Sequence, residues 1–251
     1  MRWYRRLNVS VLAVSLAIAA PVAVNSASAA SPTTAPIGAG YAPWVQQIGT
    51  YDSLISPNYD GLAPIRDVLG KTTIGLGTFS HLNGEMVILG GAVYRVGTDG
   101  KPKEVSTRRE TPFMQSVRFQ PEFRRTLPTG LACADLIPRI NRITNNVGGV
   151  VAVRLRGQFA DLVTRSVPAQ QKPYPSLADV TSKQTVFPLG KRNATLVGFR
   201  TGPDMAGVGP VGLHLHGLTN DRLAGGHVLS CATGNNVQLT LQTTRGARVH
   251  N

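Results

Sequence analysis

Alternation of apolar and polar residues dominates the second half of this chain and limits what it can fold into. The segments VVAVRLR (150–156) and NVQLTLQT (236–243) alternate most clearly, and 195–200, 211–218 and 226–231 are also short and strand-like. Such alternation places successive side chains on opposite faces of a β-strand. The pattern predicts an α+β protein, built on mixed or antiparallel sheets, whose C-terminal half is a mostly antiparallel sheet. The strand that begins near residue 150 is expected to turn near Gly157.

The first half of the chain mixes helical and extended patterns. Residues 51–70 predict one or two short helices interrupted by prolines, and EMVILGGAVYRVGTDGKPKEV (85–105) predicts a β-meander with a hairpin at TDGK. SVRFQPEF (116–123) predicts another strand. Residues 131–143 have helical spacing, with Pro138 as a kink or boundary.

The N-terminus has the features of a secretory signal peptide at residues 1–29. A basic start precedes an apolar run from Val9 to Ala20, and Ala27 and Ala29 provide an A-x-A cleavage site. The apolar run is too short for a membrane span. We therefore expect an exported protein, periplasmic or secreted, that has no stable membrane insertion after cleavage. Residues 30–45 are expected to be a flexible lead-in.

Charge and cysteine content narrow the possible partners. Loss of the three signal-peptide arginines lowers the formal net charge from +13 to +10. The basic residues are scattered as pairs, which does not favour nucleic acid and suits a small anionic substrate. Cys133 and Cys231, the two cysteines, could form one disulfide in an oxidising compartment, and the sequence leaves this open.

Three of the five histidines lie in GLHLHGLTNDRLAGGHVLSC (212–231). His214 and His216, two residues apart, share one face of a strand. The turn-rich residues that follow would bring His227 back beside them, and Gly225-Gly226 would let the backbone bend close to the site. Three neutral imidazoles suit Zn²⁺, although other divalent transition metals are possible, and three protein ligands leave a position for substrate.

NNVGG (145–149) is the best candidate for a domain junction. We therefore predict an N-terminal α+β subdomain at 46–146. A β-rich, metal-binding subdomain is predicted at 147–251.

The motifs together resemble the α-acetolactate decarboxylase family. HLHGLTNDRLAGGHVL (214–229) is similar to the family's metal segment, and IGLGTFSHLNGEMVILGGAVYRV (74–96) is similar to its GTF and GE block. TPF (111–113) and VTRSVPAQQKPYPSL (163–177) follow in the family's order. The resemblance extends from about residue 46 to residue 229.

The resemblance implies a zinc-dependent decarboxylation of 2-acetolactate to acetoin and CO2 by way of an enediolate whose charge the metal stabilises. It implies metal ligation by the three clustered histidines, catalytic roles for Glu85 and Arg165, and a substrate-binding role for Thr78. Arg165 would hold the substrate carboxylate, while Glu85 or water would supply the proton. The resemblance also implies a homodimer. His81 is interpreted as a surface loop residue without a role in the site.

Two departures from the family pattern concern the site. Ser230 stands where the family commonly has aspartate, and no acidic residue follows Asp221, whereas some members bring a C-terminal glutamate towards the metal. His250 or water could take that place.

Two other functions remain open at the level of sequence. One is an exported protein that binds zinc or copper without catalysis. The other is a cupin-like metal oxygenase, which also uses H-x-H but expects a glutamate soon after it, and none follows His216.

Overall fold

The computed structural model describes residues 42–251, so the predicted signal peptide and almost all of the lead-in lie outside the described residues. The strands of the described part are β1 Val45–Ile48, β2 Ala63–Pro64, β3 Ile74–Thr78, β4 Glu85–Leu89, β5 Ala92–Val96, β6 Pro102–Glu104, β7 Glu110–Thr111, β8 Met114–Val117, β9 Phe123–Thr126, β10 Val150–Ser166, β11 Thr185–Pro188, β12 Arg192–Thr201, β13 Gly212–Thr219, β14 Gly225–Thr233, β15 Gln238–Thr243 and β16 Ala247–His250. The α-helices are α1 Tyr51–Ile55, α2 Arg66–Leu69, α3 Leu136–Ile143 and α4 Leu177–Ser182, and short 3₁₀-helices lie at Ser80–Leu82, Cys133–Asp135 and Pro203–Met205.

The first sheet has seven strands in the order β16-β1-β8-β3-β4-β5-β6. Its centre is antiparallel, and β16 joins β1 in parallel at one edge. The predicted meander is confirmed as β4, β5 and β6. The segment 116–123, predicted as one strand, is instead divided between β8 and β9, which belong to different sheets.

The second sheet closes into a small barrel. Its order is β12-β13-β14-β10-β15-β9, and β12 also pairs with β10, which completes the ring β10-β12-β13-β14. The α+β class and the mostly antiparallel C-terminal sheet are therefore confirmed. In addition, β2 and β7 form a separate two-stranded sheet.

The turn predicted near Gly157 is wrong, because β10 runs through this position as one strand of 17 residues. On one side β10 pairs with β15 as far as Arg156 and then with β14 from Phe159. A Cβ on Gly157 would lie 2.7 Å from the Cα of Val237. The glycine thus marks a close approach of two strands where β10 changes partners, and not a chain reversal.

Three apolar cores hold the elements together. The barrel interior contains side chains such as Leu155, Phe159 and Leu239. A second core, including Leu76 and Phe199, lies between the outer face of the barrel and one face of the first sheet. A third covers the other face of the first sheet and includes residues of α2. Each fully buried Leu or Phe contributes roughly 1.5–3 kcal/mol, so the two sheets are firmly packed together.

The structure has helices in both segments where the sequence predicts them, and a disulfide joins the two cysteines. The predicted interruption of 51–70 by prolines is seen as two short helices, α1 and α2. Pro138 lies in the first turn of α3, where its missing N–H breaks no helical hydrogen bond. Cys133 and Cys231 form a disulfide with a Cα–Cα distance of 5.2 Å.

The predicted subdomain boundary at 146/147 stays a prediction. Each sheet contains one strand from the other side of it, β16 in the first sheet and β9 in the second. Among residues 42–251, none of the helices is long and apolar enough to cross a membrane.

Candidate metal centre

Three neighbouring strands of the barrel place His216, His227 and Arg165 in one row. His216 lies opposite His227 on the paired strands β13 and β14, and His227 lies opposite Arg165 on β10. His214, two residues before His216, projects from the same face of β13. This face is the outer face of the barrel, which packs against the first sheet.

The three imidazoles converge as the sequence predicted. Nε2 of His214, Nε2 of His216 and Nδ1 of His227 lie 3.2 Å from one another. They form a group of three side chains that could hold a metal ion. The arrangement follows from the i, i+2 spacing on β13 together with the register of β14.

All three rings are held in the neutral form. Burial, with a contribution from the charge of Arg165, lowers the pKa of His214 to about 3. Burial likewise lowers the pKa values of His216 and His227 well below the usual value. Nδ1 of His216 donates to the carbonyl oxygen of Met86 at 2.8 Å, which leaves its Nε2 with a free lone pair.

The donor set fits a divalent transition metal. Tetrahedral coordination at about 2.0–2.1 Å separates ligand nitrogens by about 3.3 Å, close to the spacing observed here. These three nitrogens cannot all hydrogen-bond to one another, because a ring nitrogen of a neutral imidazole carries either a hydrogen or a lone pair, and not both. A cation between the three nitrogens would bind their lone pairs and remove the repulsion between them. Three neutral imidazoles are ligands that zinc commonly takes.

Glu85 reaches the same place from the first sheet. Its Oε1 accepts a hydrogen bond from Nη1 of Arg165 at 2.5 Å, and its Oε2 lies 3.5 Å from Nε2 of His216. Glu85 is 4% exposed, and this burial raises its pKa, while the charge of Arg165 acts in the opposite direction. The net direction is upward, so this carboxyl holds a proton more readily than an exposed glutamate does.

Thr78 also belongs to this site. Its backbone pairs with that of Glu85 at the ends of β3 and β4, and the hydroxyl donates to the carbonyl oxygen of Gly84 at 2.8 Å. That bond fixes the turn that leads into Glu85. The hydroxyl oxygen can still accept a hydrogen bond, and its predicted role in substrate binding stays a prediction.

A cavity of about 580 Å³ opens over the site. The three histidines, Glu85, Arg165 and Thr78 all line it. Apolar side chains from several elements also line it, and together they are called the apolar wall, namely Leu54, Leu82, Phe113, Val167, Leu177 and Leu213. The cavity is therefore lined by both polar and apolar side chains, which suits a small ligand with both carboxylate and alkyl groups.

Sequence reasoning missed two features near the site and overstated one. The carbonyl of Met86 orients His216, and no sequence signal marks a backbone acceptor. His81 is exposed, as predicted, but the sequence did not predict that its Nδ1 lies 2.5 Å from the hydroxyl oxygen of Tyr174. His250 does not reach the cavity, since it lies exposed on the edge strand β16 and contacts Gln46.

Fold and site together define a β-rich protein with a group of three histidines that could hold a metal ion, and the comparisons place it among the carboxy-lyases. The fold is similar to the crystal structure of α-acetolactate decarboxylase from Bacillus subtilis strain 168, with a TM-score of 0.78 at 27% sequence identity. That match covers 82% of this chain and 88% of the other. A Staphylococcus aureus protein, described as similar to α-acetolactate decarboxylase, matches with the same TM-score over the same shares of the two chains.

The chain belongs to the α-acetolactate decarboxylase family, whose model matches residues 45–251. The enzyme of Klebsiella aerogenes is 35% identical over 185 residues, which is 74% of this chain and 71% of that protein. The enzyme of Methanosarcina mazei is 40% identical over 185 residues, which is 73% of this chain and 64% of that protein. The resemblance drawn from the sequence motifs is thereby confirmed.

Proposed function

We propose that this protein decarboxylates 2-acetolactate (2-hydroxy-2-methyl-3-oxobutanoate) to acetoin and CO2, with a zinc ion held by His214, His216 and His227. The observation that carries the proposal is the convergence of three neutral imidazoles beside the Glu85–Arg165 pair, in the lining of one cavity. Membership of the family supports this reaction over both non-catalytic metal binding and a cupin-like oxygenase.

The histidines would supply three ligands and leave further coordination positions facing the cavity. When bound, the divalent ion would act as a Lewis acid that stabilises negative charge on the substrate oxygens. The His216 ring is held by Met86, so the ligand nitrogens are oriented in advance.

Arg165 would bind the substrate as an anion. Its guanidinium is mostly buried, with a side chain 13% exposed, and it faces the cavity next to the histidines. A planar guanidinium matches a carboxylate, and its charge acts more strongly in a site that excludes water. Arginine keeps its proton in proteins, so Arg165 orients the substrate and does not donate the proton.

Glu85 would move the proton. As the bond between the carboxylate carbon and the adjacent carbon breaks, the electron pair moves towards the ketone oxygen and CO2 leaves. The carbon that lost CO2 must then receive a proton to give acetoin. A buried carboxyl whose pKa is raised can take the proton of the substrate hydroxyl and deliver it to this carbon. A proton from water then restores the hydroxyl, so the reaction consumes one proton overall.

The apolar wall would receive the methyl groups of the substrate. Leu54, Leu177 and Leu213 line the cavity together with the polar groups. A bound substrate that fills the space beside them would exclude water, which strengthens the interactions of Arg165 and Glu85 with it.

The test is acetoin formation from 2-acetolactate by the purified protein, measured before chelation, after chelation and after zinc is restored. We expect activity that disappears with the metal and returns with it. His214→Asn should lose both metal and activity, while His250→Asn, which alters an exposed histidine outside the cavity, should keep both. A folded, metal-loaded protein that makes no acetoin above the uncatalysed rate contradicts the proposal.

We also propose that the mature protein works outside the cytoplasm. The signal-like sequence at 1–29 supports export, and the Cys133–Cys231 disulfide is of the kind that persists in oxidising compartments. Determination of the N-terminal residue of the protein recovered from its native host tests this, with Ala30 expected. An intact Met1 in a cytoplasmic fraction contradicts it.

A further inference from the structure

A polar cluster outside the cavity joins three segments of the chain. Nζ of Lys172 lies 2.5 Å from Oδ2 of Asp60, the hydroxyl of Tyr174 donates to Oδ1 of Asp60 at 2.7 Å, and Nδ1 of His81 lies 2.5 Å from the same hydroxyl oxygen. We call these four residues, Asp60, His81, Lys172 and Tyr174, the clamp. They line a second, shallow cavity that is separate from the candidate metal centre.

The hydrogen bonds of the clamp can be ordered only one way. The tyrosine hydroxyl has one hydrogen, which it gives to the Asp60 carboxylate, so its oxygen must accept from Nδ1–H of His81. Lys172 neutralises the other carboxylate oxygen. The hydrogen-bonded link from His81 to the Asp60–Lys172 pair therefore depends on the Tyr174 hydroxyl.

Backbone contacts connect the same segments. The amide of His81 donates to the carbonyl of Tyr59, and the amide of Gln170 donates to the carbonyl of His81. The Tyr59 hydroxyl donates to the carbonyl of Pro175, and the rings of Tyr59 and Tyr174 lie 4.9 Å apart. The segment 168–175 is thus attached to both the 59–60 loop and the turn at 79–84.

Two of the joined segments lead directly to residues that line the cavity over the candidate metal centre. The turn at 79–84 carries Leu82, which lines the cavity, and leads directly into Glu85. The segment 168–175 follows Arg165 on β10 and leads into α4, whose Leu177 is part of the apolar wall. The clamp therefore fixes the flanks of the two residues that meet as the Glu85–Arg165 pair.

The turn needs such support. His81 and Leu82 both have left-handed backbone angles, with φ of +65° and +53°. Residues other than glycine rarely adopt this conformation twice in succession, and Leu in particular does not favour it. Such a conformation persists when surrounding contacts impose it.

We propose that the clamp positions Glu85 against Arg165 by holding the turn at 79–84 in its left-handed conformation. Its members are positioning residues, and none of them touches the cavity that holds the candidate metal centre. The expected effect on kcat rests on the proposed function. The expected effect on the conformation of the turn can be measured without substrate.

The test compares Tyr174→Phe with a control, Tyr94→Phe, whose hydroxyl takes part in no hydrogen bond within the described residues. For each variant, kcat and KM with 2-acetolactate are measured per bound metal, together with amide hydrogen exchange. We expect Tyr174→Phe to lower kcat roughly tenfold with KM changed by less than about twofold, because a small displacement of a reacting group is costly. Exchange should become faster at both 79–84 and 168–172, and the control should change neither quantity.

A rescue variant identifies the turn as the positioned element. Asparagine tolerates the left-handed conformation, so adding His81→Asn to Tyr174→Phe should recover most of the lost kcat. A double variant as slow as Tyr174→Phe contradicts the role of the turn. If Tyr174→Phe has the wild-type kcat per bound metal and unchanged hydrogen exchange, the proposed role of the clamp is wrong.

Asp60→Asn, an exposed and conservative change, provides the same exchange comparison should Tyr174→Phe fold poorly. If the wild-type protein makes no acetoin, the proposed function fails, while exchange still decides whether the clamp holds the turn.

Discussion

At the scale of single residues, the account depends on a row of side chains across three strands and one carboxyl that meets it from the other sheet. The H-x-H spacing and the turn before His227 were enough to predict the convergence of the imidazoles, because side-chain direction in a strand has a period of two. The contact between Glu85 and Arg165 was expected only from the family resemblance, since 80 residues separate them in the sequence. The clamp was not predicted, because the polar surface residues Asp60, His81 and Tyr174 carry no periodic signal.

Replacing Glu85 by glutamine tests its role in proton transfer. The variant keeps the shape of the side chain and removes the carboxylate, so we expect kcat to fall by roughly 10²-fold or more. Zinc content should not change, because the three histidines remain. Glu104→Gln, on the exposed strand β6, is the matched control and should behave as wild type. Full activity in Glu85→Gln would assign the proton to water alone.

Acidification tests the ion pair within the clamp. Hydrogen bonds from Lys172 and then from Tyr174 lower the pKa of Asp60, and Lys172, Tyr174 and His81 are the titratable groups that face it. A carboxyl whose folded-state pKa is depressed stabilises the protein above its unfolded pKa, near 3.9, and loses this contribution as the pH falls through the folded value. Wild type should therefore have a higher Tm than Asp60→Asn at pH 7. This difference in Tm should become smaller when it is measured below about pH 4. A difference that is constant down to pH 2 contradicts the pairing.

At the scale of elements, the strand β10 organises the site more than any other segment. It pairs with β12 and β15 in its first part and with β14 and β11 in its second, and it carries Arg165 near its end. The alternation of residues 150–156 was sufficient to predict a strand here, but not its length. Gly157 was interpreted as a turn residue because glycine interrupts many strands, whereas here it accommodates β15. Local pattern cannot distinguish these two uses of glycine, because the difference lies in a partner 80 residues away.

Gly226 tests how closely β14 must approach β10. Its φ is +130°, and a Cβ there would lie 2.5 Å from the carbonyl oxygen of Arg165. Gly226→Ala must displace His227 or Arg165, so we expect a loss of roughly 2–4 kcal/mol in the free energy of unfolding and weaker zinc binding.

Gly90→Ala is the control for a positive φ without a close contact. Gly90 also has a positive φ, of +65°, but an added Cβ meets nothing within 4 Å. This variant should lose about 1–2 kcal/mol and keep its zinc. Equal losses in the two variants, by chemical denaturation, would show that the close approach at Gly226 is unimportant.

At the scale of the whole molecule, two sheets enclose the site, and neither provides it alone. The barrel contributes the histidines and Arg165, while the first sheet contributes Glu85 and Thr78. Strand content and the antiparallel character of the C-terminal half were predictable from alternation. Closure of the barrel and the exchange of β9 and β16 between the sheets were not, because they depend on pairings between distant segments. The homodimer implied by the family resemblance stays a prediction, which sedimentation of the mature protein would test.

The disulfide is expected to stabilise the fold without affecting catalysis. It joins residues 98 apart in the sequence, and neither cysteine lines the active cavity. Closing a loop of this length stabilises a protein by about 4–5 kcal/mol in the chain-entropy model. The double variant Cys133→Ser/Cys231→Ser should therefore melt roughly 10–15 °C lower, with unchanged kcat at 25 °C. An unchanged Tm by calorimetry would contradict a structural role for the bond.

The central claim, that His214, His216 and His227 hold one divalent metal beside Glu85 and Arg165, is tested most directly by anomalous diffraction at the zinc edge from crystals of the zinc-loaded protein. The account predicts a single strong peak about 2.0–2.1 Å from Nε2 of His214, Nε2 of His216 and Nδ1 of His227. A peak at another place, or no peak at these three nitrogens in zinc-saturated crystals, would contradict it.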